Sequence, residues 1–537
     1  MVNQIKRRNN QDLLISGQRL ANLGRFGDAI DLGDNIQIND SDVFTYPAEM
    51  NLLEHLEDVN TMINYHRDFL VGAYKMKRDY YKGRHERIIR QKGKSLGKPD
   101  NRIIVNYPKK LINTFNGFFS GDPVQVSYEE NGNPNETINK QIQDFLKRND
   151  YDDVFSEASK MADIYGRSYL YCYMDDQPTP QLHMTVTSPI DTFAIYDDTV
   201  EHNQIAAVRY TYRNAQMKAT VITDKGDYQI SNTSEDGTAA KAHFTNLDED
   251  GAPLDTHPLP ICPVIEFEEN EERLGLLDDV VNIIDSIDRS MSEKMNDVDY
   301  FGDAYLAITG VKLTDKQKAE IKDSKLFNLY PSEDEMDSNI QPTVEFLNKL
   351  SNDETQEHYL DRAVDMLYQI TQVVNLSDST FGMSADAASG VALINKYQAM
   401  QAMAKTKSRK MSKMLRKLFS IFFDVANISG DISNLTFTYQ QAVPHNDSEE
   451  ATTFATVFGK IPDEKALQYL SKIDDPKATA KEMAKDREKD GINLAQATAK
   501  VGEDDGQPNA GEAPNTGTPQ PGQAGQPNQQ SGLPAKS

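Results

Sequence analysis

The sequence contains no tryptophan and only two cysteines among 537 residues, and no apolar run reaches the roughly 20 residues of a membrane-spanning helix. Cys172 and Cys262 stand far apart, with no second Cys or His at metal-binding spacing. That excludes a disulfide framework and a zinc site, and the pair reads as buried free thiols of a reducing cytoplasm. No charged segment leading into an apolar stretch opens the chain, so a soluble product with no membrane partner is expected. Positive charge is scarce too: 57 Lys and Arg face 83 Asp and Glu, a formal net charge of -26. Non-specific affinity for duplex DNA comes largely from phosphate neutralisation by Lys and Arg, so tight gripping of DNA by the chain as a whole is excluded.

Patterns that carry chemistry are missing as well. There is no Ser/His/Asp arrangement, no HExxH and no Cys/His cluster, and carboxylates are so abundant that none stands out as half of an acid/base pair. Gly93-Lys94-Ser95 imitates the end of a phosphate-cradling loop, but Ile88 occupies the place of the leading glycine and no apolar strand leads in. The basic stretch from Arg84 to Lys98 is therefore expected to be a solvated loop. Asn246, Asp248, Asp250 and Gly251 imitate the opening of a calcium loop, yet His257 falls where the closing carboxylate belongs, and an acidic surface turn is expected instead. No catalytic residue, metal ligand or cofactor is assigned, and no enzymatic activity is expected.

What is present is a chain long enough for two or three domains. Residues 1–50 lack a sustained apolar period and are expected to form a loosely ordered arm. From Asn51 onward, apolar positions at helical spacing predict helices over 51–81, over Leu111 to Phe119, and over Thr137 to Arg148 and Val154 to Tyr165. Alternating stretches predict strands at Ser168 to Tyr173, Phe193 to Tyr196 and Ile205 to Tyr212. Thr220 to Thr223 and Tyr228 to Ile230 predict a hairpin, with Gly226 supplying a positive φ in the turn. The expected fold class is α+β, predominantly helical.

The stretch from Leu276 to Phe423 organises the rest. Leu276, Val280, Ile283, Ile284, Ile287 and Met291 lie along one side of a helix whose other faces carry Asp278, Asp285, Asp288, Glu293 and Asp297. A second acidic helix repeats the pattern with Leu360, Ala363, Val364, Leu367 and Ile370. Between them, Ala304 to Thr309, Lys325 to Tyr330 and Thr343 to Leu347 read as short strands and Thr314 to Lys322 as a helix. After the second helix the chain turns through Asn375, Leu376, Ser377, Asp378, Ser379, Thr380, Phe381, Gly382, Met383 and Ser384, residues that favour turns. A long helix, capped near Ser389, then runs to Phe423. Lys405, Lys407, Lys410, Lys413 and Arg416 make it locally basic, with no acidic residue from Lys396 to Lys417.

This order of helix, small α/β insert, helix, Ser/Gly loop and long helix entered through Ala-Ala-Ser-Gly-Val-Ala-Leu (Ala387 to Leu393) resembles the portal protein of long-tailed bacteriophages of Gram-positive hosts. The resemblance extends to Pro260-Ile261-Cys262-Pro263-Val264-Ile265-Glu266-Phe267 before the first helix and to Phe437-Thr438-Tyr439 followed by Asn446 to Glu450 after the last. It spans about Asn51 to Asp490 in matching element order. It implies a wing at 51–275, stem helices at 276–302 and 349–373, a clip at 303–348, a tunnel loop at 374–388, a tunnel helix at 389–426 and a crown-like segment at 427–490 around a central tunnel. A Gly/Pro/Gln/Asn-rich tail at 491–537 is expected to be disordered.

The resemblance further implies a closed ring of identical subunits, usually twelve, at one capsid vertex of the virion, assembled in the host cytoplasm. Its expected partners are double-stranded DNA passing through the tunnel, the terminase large subunit, the major capsid protein and a head-tail adaptor protein. The acidic stem would let a polyanion slide without sticking. Loop residues Asn375 to Ser384 would face DNA, with Phe381 and Met383 either stacked around the duplex or anchored against the next subunit. The basic helix would meet an acidic surface of a neighbouring subunit or expose cations to DNA, the subunit contact being preferred because the same helix also packs. The alternative from another class is an acidic helical scaffold or adaptor with no DNA channel.

Overall fold

The computed structural model describes residues 32–302 except 96–97, 176, 179, 214–215, 234–238, 249–252, 254 and 257–258. It also describes residues 306–309, 343–346, 353–375, 390–440 and 447–489, the last except 471–472, 474–475 and 477–478. The N-terminal arm up to residue 31, the expected helix and strand between 314 and 330, the loop residues Ser377 to Ser384 and the tail lie outside the described residues. Two compact units divide after Pro444.

The first unit opens with two short strands, β1 (Gln37–Ile38) and β2 (Phe44–Tyr46). Helices α1 (Leu56–Tyr65) and α2 (Val71–Tyr81) are joined by a single π turn, His66–Leu70, and followed by the one-turn helix α3 (Glu86–Ile89). Helix α4 (Tyr107–Ser120) starts where the Asn106 side chain accepts the Lys109 N–H, with Pro108 in the first turn. It buries Leu111, Ile112, Phe115, Phe118 and Phe119, the stripe its spacing predicts. Strands β3 (Gln125–Glu130) and β4 (Asn133–Pro134) precede α5 (Glu136–Arg148), which Asn135 caps through the Ile138 N–H, and α6 (Tyr151–Tyr165).

Nine strands follow: β5 (Arg167–Met174), β6 (Leu182–Thr187), β7 (Thr192–Asp197), β8 (Gln204–Arg213), β9 (Gln216–Ile222), β10 (Gly226–Thr233), β11 (Ala239–Phe244), β12 (Asp255–Thr256) and β13 (Val264–Glu268). The main sheet runs β1-β2-β7-β8-β9-β10-β11, with β12 also on β10, and a smaller sheet runs β13-β5-β6. One face of the main sheet, with Val208, Tyr210, Met217, Ala219, Val221 and Ile230 in the principal core, packs on α1 and the π turn, where Tyr65 meets Phe44 and His66 lies against Phe193 and Tyr210. The predicted hairpin exists, with Asp227 opposite Ile222, but its glycine serves another purpose. Gly226 has no positive φ. A Cβ there would sit 2.7 Å from the Asp255 carbonyl oxygen, so the glycine admits the close approach of β12.

Helix α7 (Val281–Gly302), the antiparallel pair β14 (Leu306–Thr309) and β15 (Thr343–Phe346), α8 (Asp353–Thr371) and α9 (Gly390–Val425) succeed one another as the sequence predicts. The expected crown-like strand is β16 (Leu435–Thr438), which pairs with β3, so residues 427–440 complete a sheet of the first unit. In the second unit, α10 (Asp447–Val457) and α11 (Asp463–Leu467) are joined by a turn with Phe454 and Phe458 in ring contact at 4.7 Å. The thiols of Cys172 and Cys262 are both free and buried, and burial pushes each up to about 12.

Candidate functional site

The α7/α8 hairpin grows out of the α+β body at one tightly built joint. Helix α6 ends at Gly166, whose φ of 92° and lack of a side chain let the Arg273 carbonyl approach to 1.8 Å of where a Cβ would be. The Leu276 N–H donates to the Asp163 carbonyl (2.9 Å) and the Glu269 N–H to the Gly166 carbonyl (3.0 Å), fixing the direction in which the chain enters α7. Leu277, Val280, Val281, Ile284 and Ile287 of this segment, with Leu360, Ala363 and Leu367 of α8, belong to the principal core. The Ser286 and Tyr359 hydroxyls meet at 2.7 Å, and Lys294 pairs with Glu357.

Most acidic residues of α7 do not form the open negative face expected of them. The end of α2 and the described residues from 82 to 106 lie along α7 and the turn before it as a strap, and answer the acidic side chains there. Asp278 accepts from Lys77 of α2 (2.7 Å), and Asp285 accepts from the Tyr80 hydroxyl (2.6 Å) and Arg87 (2.7 Å). Fully buried Asp288 takes the His85 Nδ1–H and the Val105 N–H (2.8 Å). His85 Nε2 lies 3.2 Å from the Tyr80 carbonyl, so both ring nitrogens face oxygen atoms. Further along, Lys94 pairs with Glu293 (2.5 Å), the Asn101 N–H reaches Asn296 (2.6 Å) and the Ile103 N–H reaches Ser292 (2.9 Å). Asp297 is half-buried. Arg87 and Lys94 of the basic stretch thus serve as counter-charges of this helix, while Arg84, Arg90, Lys92 and Lys98 stay exposed as a solvated loop would leave them.

Negative charge remains outward at Asp299 near the end of α7 and along α8. Glu354, Asp361 and Asp365 are exposed at i, i+7 and i+11, along one flank of the helix. Its other flank is exposed and apolar, with Tyr359, Met366 and Ile370 each 44–49% exposed. A cleft of about 390 Å³ beside Ile370 is bordered by Val280, Gln372 and Met403.

The basic helix α9 is corrected in the same way. Lys407, expected at a subunit contact or toward DNA, is completely buried. Its ammonium donates to Asp163 (2.5 Å) and the Ser159 carbonyl (3.2 Å), pairs with Glu269 (2.9 Å), and lies over the rings of Phe115 and Phe119. Burial drives both carboxyls up against the pull of the ammonium, Asp163 strongly. One ammonium between two buried acids is neutral only if the acids share a proton, which also gives a partner to the otherwise orphaned Asp163 Oδ2. Lys410 pairs with Glu268 (3.0 Å) and Glu271 (2.5 Å), Lys413 pairs with Glu268 (2.9 Å), and Arg416 stacks over Phe437. The exposed cations of α9 are Lys405, Arg409, Lys413 and Arg416; among the described residues Lys405, Arg409 and Arg416 have no ion-pair partner. Of the loop set, Asn375 is half-buried at the end of α8, and the others lie outside the described residues.

Among the described residues, no helix is long and apolar enough to cross a membrane and no cluster of His, Cys, Asp or Glu is placed to hold a metal. The arrangement is a framework of helices and paired charges. In comparisons with known proteins, the family described as phage portal protein, SPP1 Gp6-like, matches residues 61–492. The chain is a phage portal protein by class. Within that class it belongs to the SPP1 Gp6-like family. It is 24% identical to the portal protein of Bacillus phage SPP1 over 70% of this chain and 72% of the relative. It is 23% identical to the portal protein of Clostridium phage phiCD119 over 71% of this chain and 83% of the relative. Among solved structures, a chain of the neck of an empty GTA particle computed with C6 symmetry is similar at a TM-score of 0.38 and 11% identity, covering 67% of this chain and 89% of that one.

Proposed function

We propose that this chain is the subunit of a closed ring at one vertex of a phage capsid, through which double-stranded viral DNA is packaged and later ejected. The family match over residues 61–492 carries this reading. In it, 51–275 is the wing, α7 and α8 are the stem, 303–348 is the clip, and the loop at 374–388 with α9 faces the tunnel. The role is structural: the terminase large subunit supplies nucleotide hydrolysis and docks on the ring, as a head-tail adaptor protein does later, while the major capsid protein holds its rim. The ring of the resemblance is a dodecamer.

A ring closed by rotation needs two different, complementary surfaces on every subunit. The acidic flank of α8, with Asp361 and Asp365, and the outward cations of α9, Lys405 and Arg409, support this reading as such a pair. The apolar flank of Tyr359, Met366 and Ile370 offers contact area beside them. Because Lys407, Lys410 and Lys413 already have partners inside the chain, and Arg416 lies over Phe437, the inter-subunit role is assigned to Lys405 and Arg409.

For the loop, Ser377, Asp378, Ser379, Thr380, Phe381, Gly382, Met383 and Ser384 are proposed to surround the duplex. Deleting Ser377 to Ala385 tests this. Rings are expected to form as before while DNA packaging or retention in complemented phage falls; unchanged packaging would remove the loop from the mechanism.

A further inference from the structure

The second face of the main sheet holds a surface of opposite sign to the rest of the chain. Near β13 this face is covered, with Ala207 and Ile222 packed under Cys262 and Val264. Two residues further along each strand it opens. The pairing register sets out one cross-strand row of Arg209, Thr220 and Gln229 and a second of Thr211, Lys218, Ser231 and His243. These rows line a shallow concavity of about 670 Å³. Arg209 and Lys218 are exposed, and among the described residues neither has an ion-pair partner. Elsewhere the charges of Lys77, Arg87, Lys94, Lys407 and Lys410 are all answered within the chain. The nearest carboxylates stand at the margins: Asp227 accepts from Tyr171 (3.0 Å), Asp255 faces the Gln229 amide (3.4 Å), and Asp191 accepts from Thr192 (3.2 Å). In a protein of net charge -26, unpaired cations bordered by hydroxyl and amide groups form a local well for negative charge.

We infer that this concave sheet face, centred on Arg209 and Lys218, is a docking surface for an Asp/Glu-rich segment of another protein. A segment with carboxylates at alternate positions places them roughly 7 Å apart on one side, the separation of the two rows along the strands. The Thr211, Thr220 and Gln229 side chains beside the cations supply hydrogen bonds to its backbone or carboxylates. Nucleic acid fits less well. Neither row carries a Phe, Tyr or Trp for base stacking, His243 at the end of one row being the single ring, and a densely charged duplex meets the repulsion of the whole acidic chain, which a short acidic segment largely escapes.

The test uses the full chain in its native assembly state and a fluorescent peptide of alternating Glu and Thr, roughly a dozen residues long, with a Gln-for-Glu version as control. Anisotropy is expected to show salt-sensitive binding of the Glu peptide alone. Arg209→Gln with Lys218→Gln is expected to weaken it on the order of tenfold, whereas Lys140→Gln with Lys147→Gln, exposed on α5, leaves it unchanged. Absence of binding, or equal loss in both double variants, overturns the inference. So does tighter binding of a duplex DNA of matched charge, which would make the face a nucleic-acid surface. A changed oligomeric mass of the Arg209/Lys218 variant overturns it as well, by assigning the face to a neighbouring subunit.

Discussion

Lys407 carries the firmest consequence at the scale of single residues. Among the described residues its ammonium is the only cation paired with Asp163 and Glu269, in a buried site, and it ties α9 to the end of α6 where the hairpin begins. Replacing it by Met keeps most of the volume and leaves two acids without a counter-charge. Lys407→Met is expected to cost about 3–5 kcal/mol, read as a lower denaturant midpoint at fixed protein concentration. Adding Asp163→Asn and Glu269→Gln to it should recover part of that loss, because the uncompensated charge is then gone. An unchanged midpoint in the single variant would contradict the triad. Sequence reading could not reach this assignment: Lys407 is one of several cations on a helix without acids, and nothing local separates the one that turns inward from Lys405 two positions away. A signal did exist in part, since Lys407, Met411, Met414 and Leu418 continue the buried stripe at helical spacing.

At the scale of elements, apolar periodicity located the helices because burial of a stripe is what stabilises them. The pairs α5/α6 and α7/α8, and the long α9, fall close to the predicted ranges. Charge was less legible. The acidic side of α7 and the basic residues 84–98 each looked solvated alone, and only the fold lays one along the other. The same blindness applied to Gly226, whose role depends on a strand thirty residues away. The strap has a testable consequence at Asp288, which holds His85 and the Val105 N–H. Asp288→Ala leaves the buried His85 Nδ1 and the Val105 N–H without their shared partner and is expected to cost about 3 kcal/mol. Hydrogen exchange should show faster amides across residues 83–105 while α4 keeps its protection. Uniform change over the whole unit, or none, would mean that the strap is not held by this pair.

At the scale of the whole molecule, the family was legible before any geometry, from the order of several weak features rather than from one motif, and the match over residues 61–492 agrees with it. The surfaces were not, because exposure is decided by tertiary contacts. The subunit contact is proposed to join exposed Asp361 and Asp365 on α8 to exposed Lys405 and Arg409 on α9. Asp361→Lys with Asp365→Lys is expected to prevent ring closure without lowering the melting temperature of the subunit by more than about 2 °C, since exposed charges contribute little to folding. Adding Lys405→Glu and Arg409→Glu should restore closure by exchanging the two signs. Failure of that rescue would place the contact elsewhere.

The central claim is that these subunits close into a ring around a passage. Negative-stain electron microscopy of the purified full-length protein, at a concentration where native mass gives a single assembly, tests it most directly. The account predicts uniform rings with a stain-filled central opening and a mass that is an integral multiple of the subunit, twelve by the family resemblance. Compact particles of one or two chains with no opening would contradict it.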